Sequence, residues 1–188
     1  MYYTNTKGDI MDSIKHLGTI TLSSKRLLLR RIYEEDALEI YKGFRNQEGF
    51  LYYANKKPVT LYEEQQSLIN IDLKYENQTY YNWVITLKES NAIIGGINGH
   101  YSNNEVLINY AIDERYQGHG YMTEALKTVT RFFINDVHLD RIYCGCCSDN
   151  IASKRVIEKN NMKLIEIKKD YLKLQDGLHD MLLYILEK

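Results

Sequence analysis

The spacing of the apolar residues changes across two neighbouring glycines, and this change constrains the fold more than any other feature of the chain. Before the glycines, apolar residues alternate as they do on one face of a strand, at Val106, Ile108, Tyr110 and Ile112. After them, apolar residues recur at helical spacing, at Met122, Ala125, Leu126, Val129, Phe132 and Phe133. The sequence therefore predicts a strand, a turn containing Gly118 and Gly120, and a helix over about residues 120–135.

A turn of this kind is suited to hold a phosphate group. The first N–H groups of a helix lack partners within the helix, and the helix dipole is positive at this end. Glycine also lets the backbone approach a ligand closely. A dinucleotide-binding fingerprint requires a third glycine, and a P-loop requires Gly-Lys-Ser/Thr; residues 117–125 contain neither. The pattern thus indicates a phosphate ligand of another class.

Five segments carry a resemblance to a known family. Residues 117–122, Gln-Gly-His-Gly-Tyr-Met, resemble the Gln-x-x-Gly-x-Gly/Ala signature of the GNAT superfamily, the acetyl-coenzyme A-dependent N-acetyltransferases. Residues 149–159 resemble that family's Asn-x-x-Ser segment with its later lysine. The segments at 141–142 and 177–180 also match, in the same order as in the family. Residues 25–30 resemble the Thr-x-Arg-Leu-x-Leu-Arg opening of the branch that acetylates the N-termini of ribosomal proteins. The resemblance covers about residues 19–187.

The resemblance and the periodicity together predict the fold. We expect an α/β (α+β) protein with a mixed, mostly antiparallel sheet of six or seven strands flanked by about four helices. Residues 1–18 are expected to be a loose arm, and residues 19–188 a single N-acetyltransferase domain. A capping box at Thr60 and Glu63 starts the second helix, whose apolar face is expected to carry Tyr62, Ile69 and Leu73.

The resemblance implies that an acetyl group moves from acetyl-coenzyme A to a primary amine by direct attack. The amine belongs to a protein N-terminus or to a small molecule, and both remain open. The backbone after Gln117 would hold the pyrophosphate, and the strand edge at Tyr110 would bind the pantetheine if the strands at 106–112 and 141–147 splay apart, as the family's do. The residues expected to bind the cofactor are Tyr110, Ala111, Ile112, Gln117, Gly118, His119, Gly120, Tyr121, Met122, Asn150 and Ser153.

The same resemblance assigns Ser153 to protonate the leaving thiolate, and it leaves the general base unassigned. The branch often carries Glu-Ile-Gly-Tyr before the turn, whereas residues 107–110 here are Leu-Ile-Asn-Tyr. Tyr110, His100 and Glu105 are the candidate bases. The missing glutamate also favours an alternative, a non-catalytic acyl-coenzyme A-binding module with the same fold. For Lys154 and Arg155, contact with coenzyme A phosphates and a solvated basic face both remain open.

Composition limits the partners. The net charge of −1 argues against nucleic acid. No apolar run approaches the roughly 18 residues of a membrane span, and residues 1–5 lack a signal-peptide pattern, so we expect a cytoplasmic protein without a membrane partner. Monomer and homodimer both remain open. Three cysteines within four positions, without a second ligand cluster, predict no metal; these are Cys144, Cys146 and Cys147. Four apolar residues at 50–53 either line a pocket or cover the core.

Overall fold

The fold is built on one sheet. The computed structural model describes residues 13–43, 60–174 and 176–188. The strands are β1 (Leu22–Ser23), β2 (Leu27–Arg30), β3 (Tyr80–Leu87), β4 (Ile93–Ser102), β5 (Glu105–Ile112), β6 (Arg141–Cys147), β7 (Lys163–Leu174) and β8 (Gly177–Glu187). They lie in the order β1-β2-β3-β4-β5-β6-β8-β7. Every pairing between these strands is antiparallel except that of β5 with β6.

Four α-helices accompany the sheet in the described parts of the chain. They are α1 (Ala37–Lys42), α2 (Leu61–Lys74), α3 (Tyr121–Asn135) and α4 (Ile151–Lys159). The mixed, mostly antiparallel sheet with about four helices is therefore confirmed. The sheet has eight strands rather than six or seven, because the two residues of β1 pair with β2 as a separate short strand. Within the described ranges, no helix combines the length and the apolar character that crossing a membrane requires.

Both faces of the sheet are covered. Trp83 and Ile85 on β3 are fully buried in the main core, which also contains the apolar face of α3. Val84, which points to the opposite face, is buried in a second cluster with Ile40 of α1 and Leu68 of α2. A strand that is buried on both faces reads as a continuous apolar run, as residues 83–85 do.

The apolar face predicted for α2 is wrong. Tyr62 and Leu73 are 69% and 73% exposed, and Ile69 is also exposed. Instead, Leu68 is buried, and Leu61 and Ile71 pack beside it against the second cluster. The spacing of α2 fits either face, and the tertiary contacts of Leu68 with the sheet select the one that packs. The capping box itself is present, because the Thr60 hydroxyl accepts from the Glu63 N–H and the Glu63 carboxylate accepts from the Thr60 N–H.

Residues 13–18, the end of the predicted arm, lie against the core. Ile14 and Leu17 pack on its partly buried margin. The Lys15 N–H donates to the Val137 carbonyl at 2.9 Å, and the Gly18 N–H donates to the Gln78 carbonyl at 2.8 Å. Residues 1–12 lie outside the described residues, and so do Phe50, Leu51, Tyr52 and Tyr53, for which a pocket wall and a core cover were both considered.

Candidate functional site

A cleft opens where the two parallel strands separate. β5 and β6 pair only from Val106 with Ile142 to Ile108 with Cys144, and beyond these residues the strands diverge. The cleft between them has a volume of about 560 Å³. One wall is formed by β5 and the turn before α3, and the other by β6 and the first turns of α4. The splay expected for these two strands is therefore present.

The backbone of β5 offers hydrogen-bonding groups to this cleft. The Asp113 N–H donates to Ile94 of β4 at 2.8 Å, and Ala111 is opposite Gly96 two residues earlier. In an antiparallel pair, the backbone groups of successive residues point alternately to the two sides of the strand. The N–H and C=O groups of Tyr110 and Ile112 therefore point away from β4, to the side of β5 from which β6 diverges and on which the cleft lies.

The turn before α3 adds a row of N–H donors at the same edge. Gly118 and Gly120 both have φ of +77°, in the left-handed region that favours glycine. The first bond within α3 runs from the Glu124 N–H to the Gly120 carbonyl. The N–H groups of residues 121–123 consequently have no acceptor inside the helix. Among the described residues, and apart from the chain neighbours of Gly118, no atom lies within 4 Å of a Cβ added there, so this side of the turn is open.

Two hydroxyl groups from the opposite walls meet inside the cleft. The Tyr110 hydroxyl on β5 lies 2.8 Å from the Ser153 Oγ on α4, and it donates to the Ser153 carbonyl at 3.2 Å. Ser153 is held in place because its N–H donates to the Asn150 side chain at 2.9 Å, which caps α4. The local sequence thus builds the helix start and fixes the hydroxyl with the same asparagine.

Buried thiols lie behind these hydroxyls. Burial raises the pKa of the Cys146 thiol to about 11, while a hydrogen bond with Ser153 acts in the opposite direction. Burial also raises the pKa of Cys144, whose thiol donates to the Ile108 carbonyl. Because the thiolate is the reactive form, these cysteines are poor nucleophiles at neutral pH.

The charged groups on the cleft wall are basic. Arg155 and Lys159 of α4 line the cleft, whereas Lys154 forms an exposed pair with Glu158 at 4.0 Å. Among the described residues that line the cleft, none is Asp, Glu or His. The wall therefore favours an anionic ligand.

Two candidate bases lie outside the cleft wall. Glu105 pairs with Arg141 at 2.9 Å and accepts from the Tyr143 hydroxyl, at the end of β5 where the strands are still paired. It is five residues from Tyr110, a distance of roughly 16 Å along a strand. His100 is on β4, one strand farther from the cleft, opposite Leu107. Tyr110 is the only one of the three candidates that lines the cleft in the described structure.

The structure brings together all but one of the residues expected to bind the cofactor. Those that line the cleft are Tyr110, Ala111, Ile112, Gln117, Gly118, Gly120, Tyr121, Met122, Asn150 and Ser153. His119 does not; its ring stacks on Tyr121, and its Nδ1 lies 2.8 Å from the Gln117 carbonyl.

Sequence reasoning missed part of the far wall of the cleft. It is lined by Gly145, Cys146 and Cys147 of β6, and by Leu172 and Met181 of the β7–β8 hairpin. The cysteines were considered only as metal ligands or core residues, although their place on the strand that splays from β5 was the available signal. Nothing local marks Leu172 and Met181, because the hairpin reaches the cleft only through tertiary packing.

A charged cluster borders the start of α4. The His179 Nδ1 lies 2.6 Å from Asp149, and its Nε2 lies 2.8 Å from Asp176. Hydrogen bonds to Asp149 and then Asp176 raise the pKa of His179. Cys147, Asp149 and His179 also lie close enough together to hold a metal ion. Both ring nitrogens of His179 already have a carboxylate partner, so the hydrogen bonds of one histidine with two acids account for the cluster.

Comparison with known proteins gives one family. A family model for the acetyltransferase (GNAT) domain matches residues 26–163. The uncharacterized N-acetyltransferase YoaA of Bacillus subtilis (strain 168) is 24% identical over 170 residues, which are 89% of this chain and 96% of YoaA.

Solved structures share the architecture. The ribosomal-protein-S5-alanine acetyltransferase from Vibrio fischeri superposes with a TM-score of 0.79 at 20% identity, covering 89% of this chain and 96% of that one. RimL, the ribosomal L7/L12 alpha-N-protein acetyltransferase in complex with coenzyme A, also has a TM-score of 0.79 at 20% identity, with 89% and 98% covered. At this level of identity, the likeness shows the fold.

Proposed function

Since this chain belongs to the acetyltransferase (GNAT) domain family, we propose that its cleft binds acetyl-coenzyme A and transfers the acetyl group to a primary amine. The observation that carries the proposal is the position of the cleft. N–H groups that have no acceptor within α3 lie at its turn, the edge of β5 that diverges from β6 lies along one wall, and the Tyr110–Ser153 hydroxyl pair lies within it. These are the groups that a pyrophosphate, a pantetheine and a thioester require.

The N–H groups at the start of α3 bind the pyrophosphate, where the helix dipole adds to the hydrogen bonds. Arg155 and Lys159 supply further positive charge from α4. The pantetheine amides form hydrogen bonds with the backbone of Tyr110 and Ile112, in the way that a neighbouring strand on this side of β5 would. The thioester is then directed towards the point where Tyr110 and Ser153 meet.

Transfer proceeds by direct attack. The neutral amine forms a bond to the thioester carbonyl carbon, and the bond from that carbon to sulfur breaks as the tetrahedral intermediate collapses. The thiolate takes a proton from Ser153, which the Tyr110 hydroxyl can replace through the hydrogen bond between them, and Tyr110 then regains a proton from solvent. The attacking nitrogen loses a proton to solvent, since the described cleft wall has no carboxylate or imidazole.

The absence of such a base on the described wall favours acceptors that are partly neutral without help. At pH 7, about one peptide α-amine in ten is neutral, against about one lysine side chain in two thousand. A polyamine, which carries several positive charges, also finds only basic residues among the charged groups of this wall. We therefore place a peptide or protein N-terminus first among the acceptors and a small amine of low pKa second.

A thiol-release assay tests the proposal. Acetyl-coenzyme A is supplied with a peptide that has a free α-amine, with the same peptide blocked at its N-terminus but carrying a lysine, and with a polyamine. We expect thiol release with the free α-amine well above the rate without acceptor. Release only with the blocked lysine peptide would contradict the acceptor class. Coenzyme A binding without release for any amine would support the non-catalytic module, which the missing glutamate at Leu107 favours.

A further inference from the structure

The turn between β1 and β2 reaches across the molecule to the first turn of α3. The Arg26 N–H and Nε–H donate to the two oxygens of Glu124, at 2.8 Å and 2.7 Å. The Ser24 hydroxyl donates to the same carboxylate at 2.7 Å. Partial burial by itself raises the pKa of Glu124, but these hydrogen bonds outweigh it and lower the pKa. Glu124 is therefore ionised and holds Arg26 against the start of the helix.

The rest of the Arg26 guanidinium contacts the glycine turn itself. Its Nη1 donates to the His119 carbonyl at 3.0 Å, and its Cζ lies 4.3 Å from the centre of the Tyr121 ring. Its Nη2 lies 3.7 Å from a Cβ built on Gly120. The guanidinium thus packs against the turn, and it is not among the residues that line the cleft.

Holding this carbonyl has a consequence for the neighbouring donor. In a trans peptide, the C=O group and the following N–H group point in opposite directions. When Arg26 fixes the His119 carbonyl on its own side, the Gly120 N–H points away from Arg26. Gly118 and Gly120, which have left-handed backbones and no side chain to restrain them, have many other conformations available. A planar guanidinium with several donors is suited to select one of them.

We propose that Arg26 is a positioning residue that holds the glycine turn with its N–H groups directed at the pyrophosphate, an inference that rests on the proposed binding of acetyl-coenzyme A. This gives a role to the Arg-Leu-x-Leu-Arg segment that opens the resemblance to the family. Arg26 acts through the turn and through Glu124, without contacting the ligand.

A surface ion pair of no functional consequence is the competing explanation, because exposed pairs contribute little to stability. The explanations differ in their effect on binding. Loss of an ion pair without functional consequence should weaken no ligand. Loss of a positioning group should weaken only ligands that carry the pyrophosphate. Loss of a structural contact should weaken all ligands of the cleft together.

The test compares two ligands and three variants. Coenzyme A binding is measured by calorimetry, and binding of S-acetylpantetheine, which lacks the pyrophosphate, is measured by ligand-observed NMR, which suits weak binding. Arg26→Met removes the donors, and Arg26→Lys keeps the charge but cannot reach Glu124 and His119 together. Arg141→Met is the matched control, because it removes an ion pair of similar length, to Glu105, at the paired end of β5 and β6.

We expect Arg26→Met to raise the Kd of coenzyme A by about tenfold, the loss of about one charge-assisted hydrogen bond. The Kd of S-acetylpantetheine should not change. Arg26→Lys should have an intermediate effect on coenzyme A, and it gives the same comparison if Arg26→Met does not fold. Arg141→Met should leave both ligands unaffected.

Equal losses for the two ligands, or no loss for either, would overturn the role of Arg26 while leaving the proposed function in place. A wild-type protein that does not bind coenzyme A would overturn the proposed function, and this inference with it. The two failures are therefore distinguished by the wild-type titration alone.

Discussion

Tyr110 and Ser153 are 43 positions apart in the chain, yet their hydroxyls lie 2.8 Å from each other. Each is placed by its own element, Tyr110 by the divergence of β5 from β6 and Ser153 by the Asn150 cap of α4. A hydroxyl is a weak acid. Its ability to protonate a thiolate therefore depends on a short distance between the two groups and on prompt replacement of the donated proton. The pair provides a second hydroxyl for that replacement.

Ser153→Ala should lower kcat by about a hundredfold, at the lower end of what a positioned proton donor contributes. Binding of coenzyme A should stay near normal, because the assigned role begins only when the carbon–sulfur bond breaks. Steady-state kinetics with the best acceptor, together with calorimetry, separates these two effects. Ser148→Ala, at a neighbouring serine outside the cleft wall, is the control. A change confined to the KM for acetyl-coenzyme A would assign Ser153 to binding instead.

At the scale of elements, the starts of α3 and α4 lie on the two sides of the cleft, and their caps differ. Gly120 caps α3 with a left-handed backbone and no side-chain bond, which leaves the N–H groups available. Asn150 caps α4 with its side chain, which uses the Ser153 N–H. The Gly120 cap leaves N–H groups that can bind an anion, whereas the Asn150 cap fixes the position of Ser153.

Asn150→Ala should cost about 1 kcal/mol of stability, as the loss of a helix cap does, and should also weaken coenzyme A binding. Thr60→Ala removes a comparable cap from α2, outside the cleft wall, and should cost a similar free energy without changing the affinity. Thermal unfolding and calorimetry on both variants give the comparison. Equal affinities in Asn150→Ala and the wild type would limit Asn150 to its capping role.

The β7–β8 hairpin is joined to the start of α4 by His179, Asp149 and Asp176. The contribution of these three residues to the stability of the folded protein should depend on pH. The pKa of His179 is raised by its bonds to Asp149 and Asp176, so the stabilisation is complete below the unfolded pKa and is lost as pH rises through the folded pKa. The pKa of Asp176 is lowered by its bond to His179, so its share is lost as pH falls through that value.

His179→Gln should therefore destabilise the protein at about pH 6, below the unfolded pKa, and the difference from the wild type should shrink as pH rises through the raised folded pKa of His179. Denaturant unfolding of both proteins across this range measures the difference. A difference that stays constant over the whole range would mean that the imidazolium does not stabilise the hairpin.

At the scale of the whole molecule, the sequence predicted what depends on neighbouring residues. The strand at 106–112, the glycine turn and the helix that follows it depend on residues within one or two turns of each other.

What the sequence did not predict depends on residues far apart in the chain. The clamp of Arg26 on Glu124 joins positions 98 residues apart. The packed face of α2 and the contribution of Leu172 and Met181 to the cleft were set by tertiary contacts. Glu105 and His100 are close in sequence to Tyr110, which lines the cleft. The strand register and the direction of β5 nevertheless place both of them outside the cleft wall.

The three cysteines remain predicted to bind no metal, even though Cys147 lies beside Asp149 and His179. Protein purified under reducing conditions without added metal should contain far less than one zinc per chain by elemental analysis. Stoichiometric zinc that disappears in His179→Gln would contradict this prediction and would make the cluster a metal site.

The central claim is that the glycine turn holds the pyrophosphate of acetyl-coenzyme A, and calorimetry of coenzyme A binding to Gly120→Val tests it most directly. Valine at a φ of +77° costs about 1–2 kcal/mol, which a stability of about 5–15 kcal/mol tolerates, but it forces the turn to rearrange. Gly18→Val, at a φ of +64° outside the cleft wall, is the matched control, and circular dichroism checks both folds. We predict no measurable binding for Gly120→Val and normal binding for Gly18→Val. Near-normal affinity in folded Gly120→Val would contradict the account.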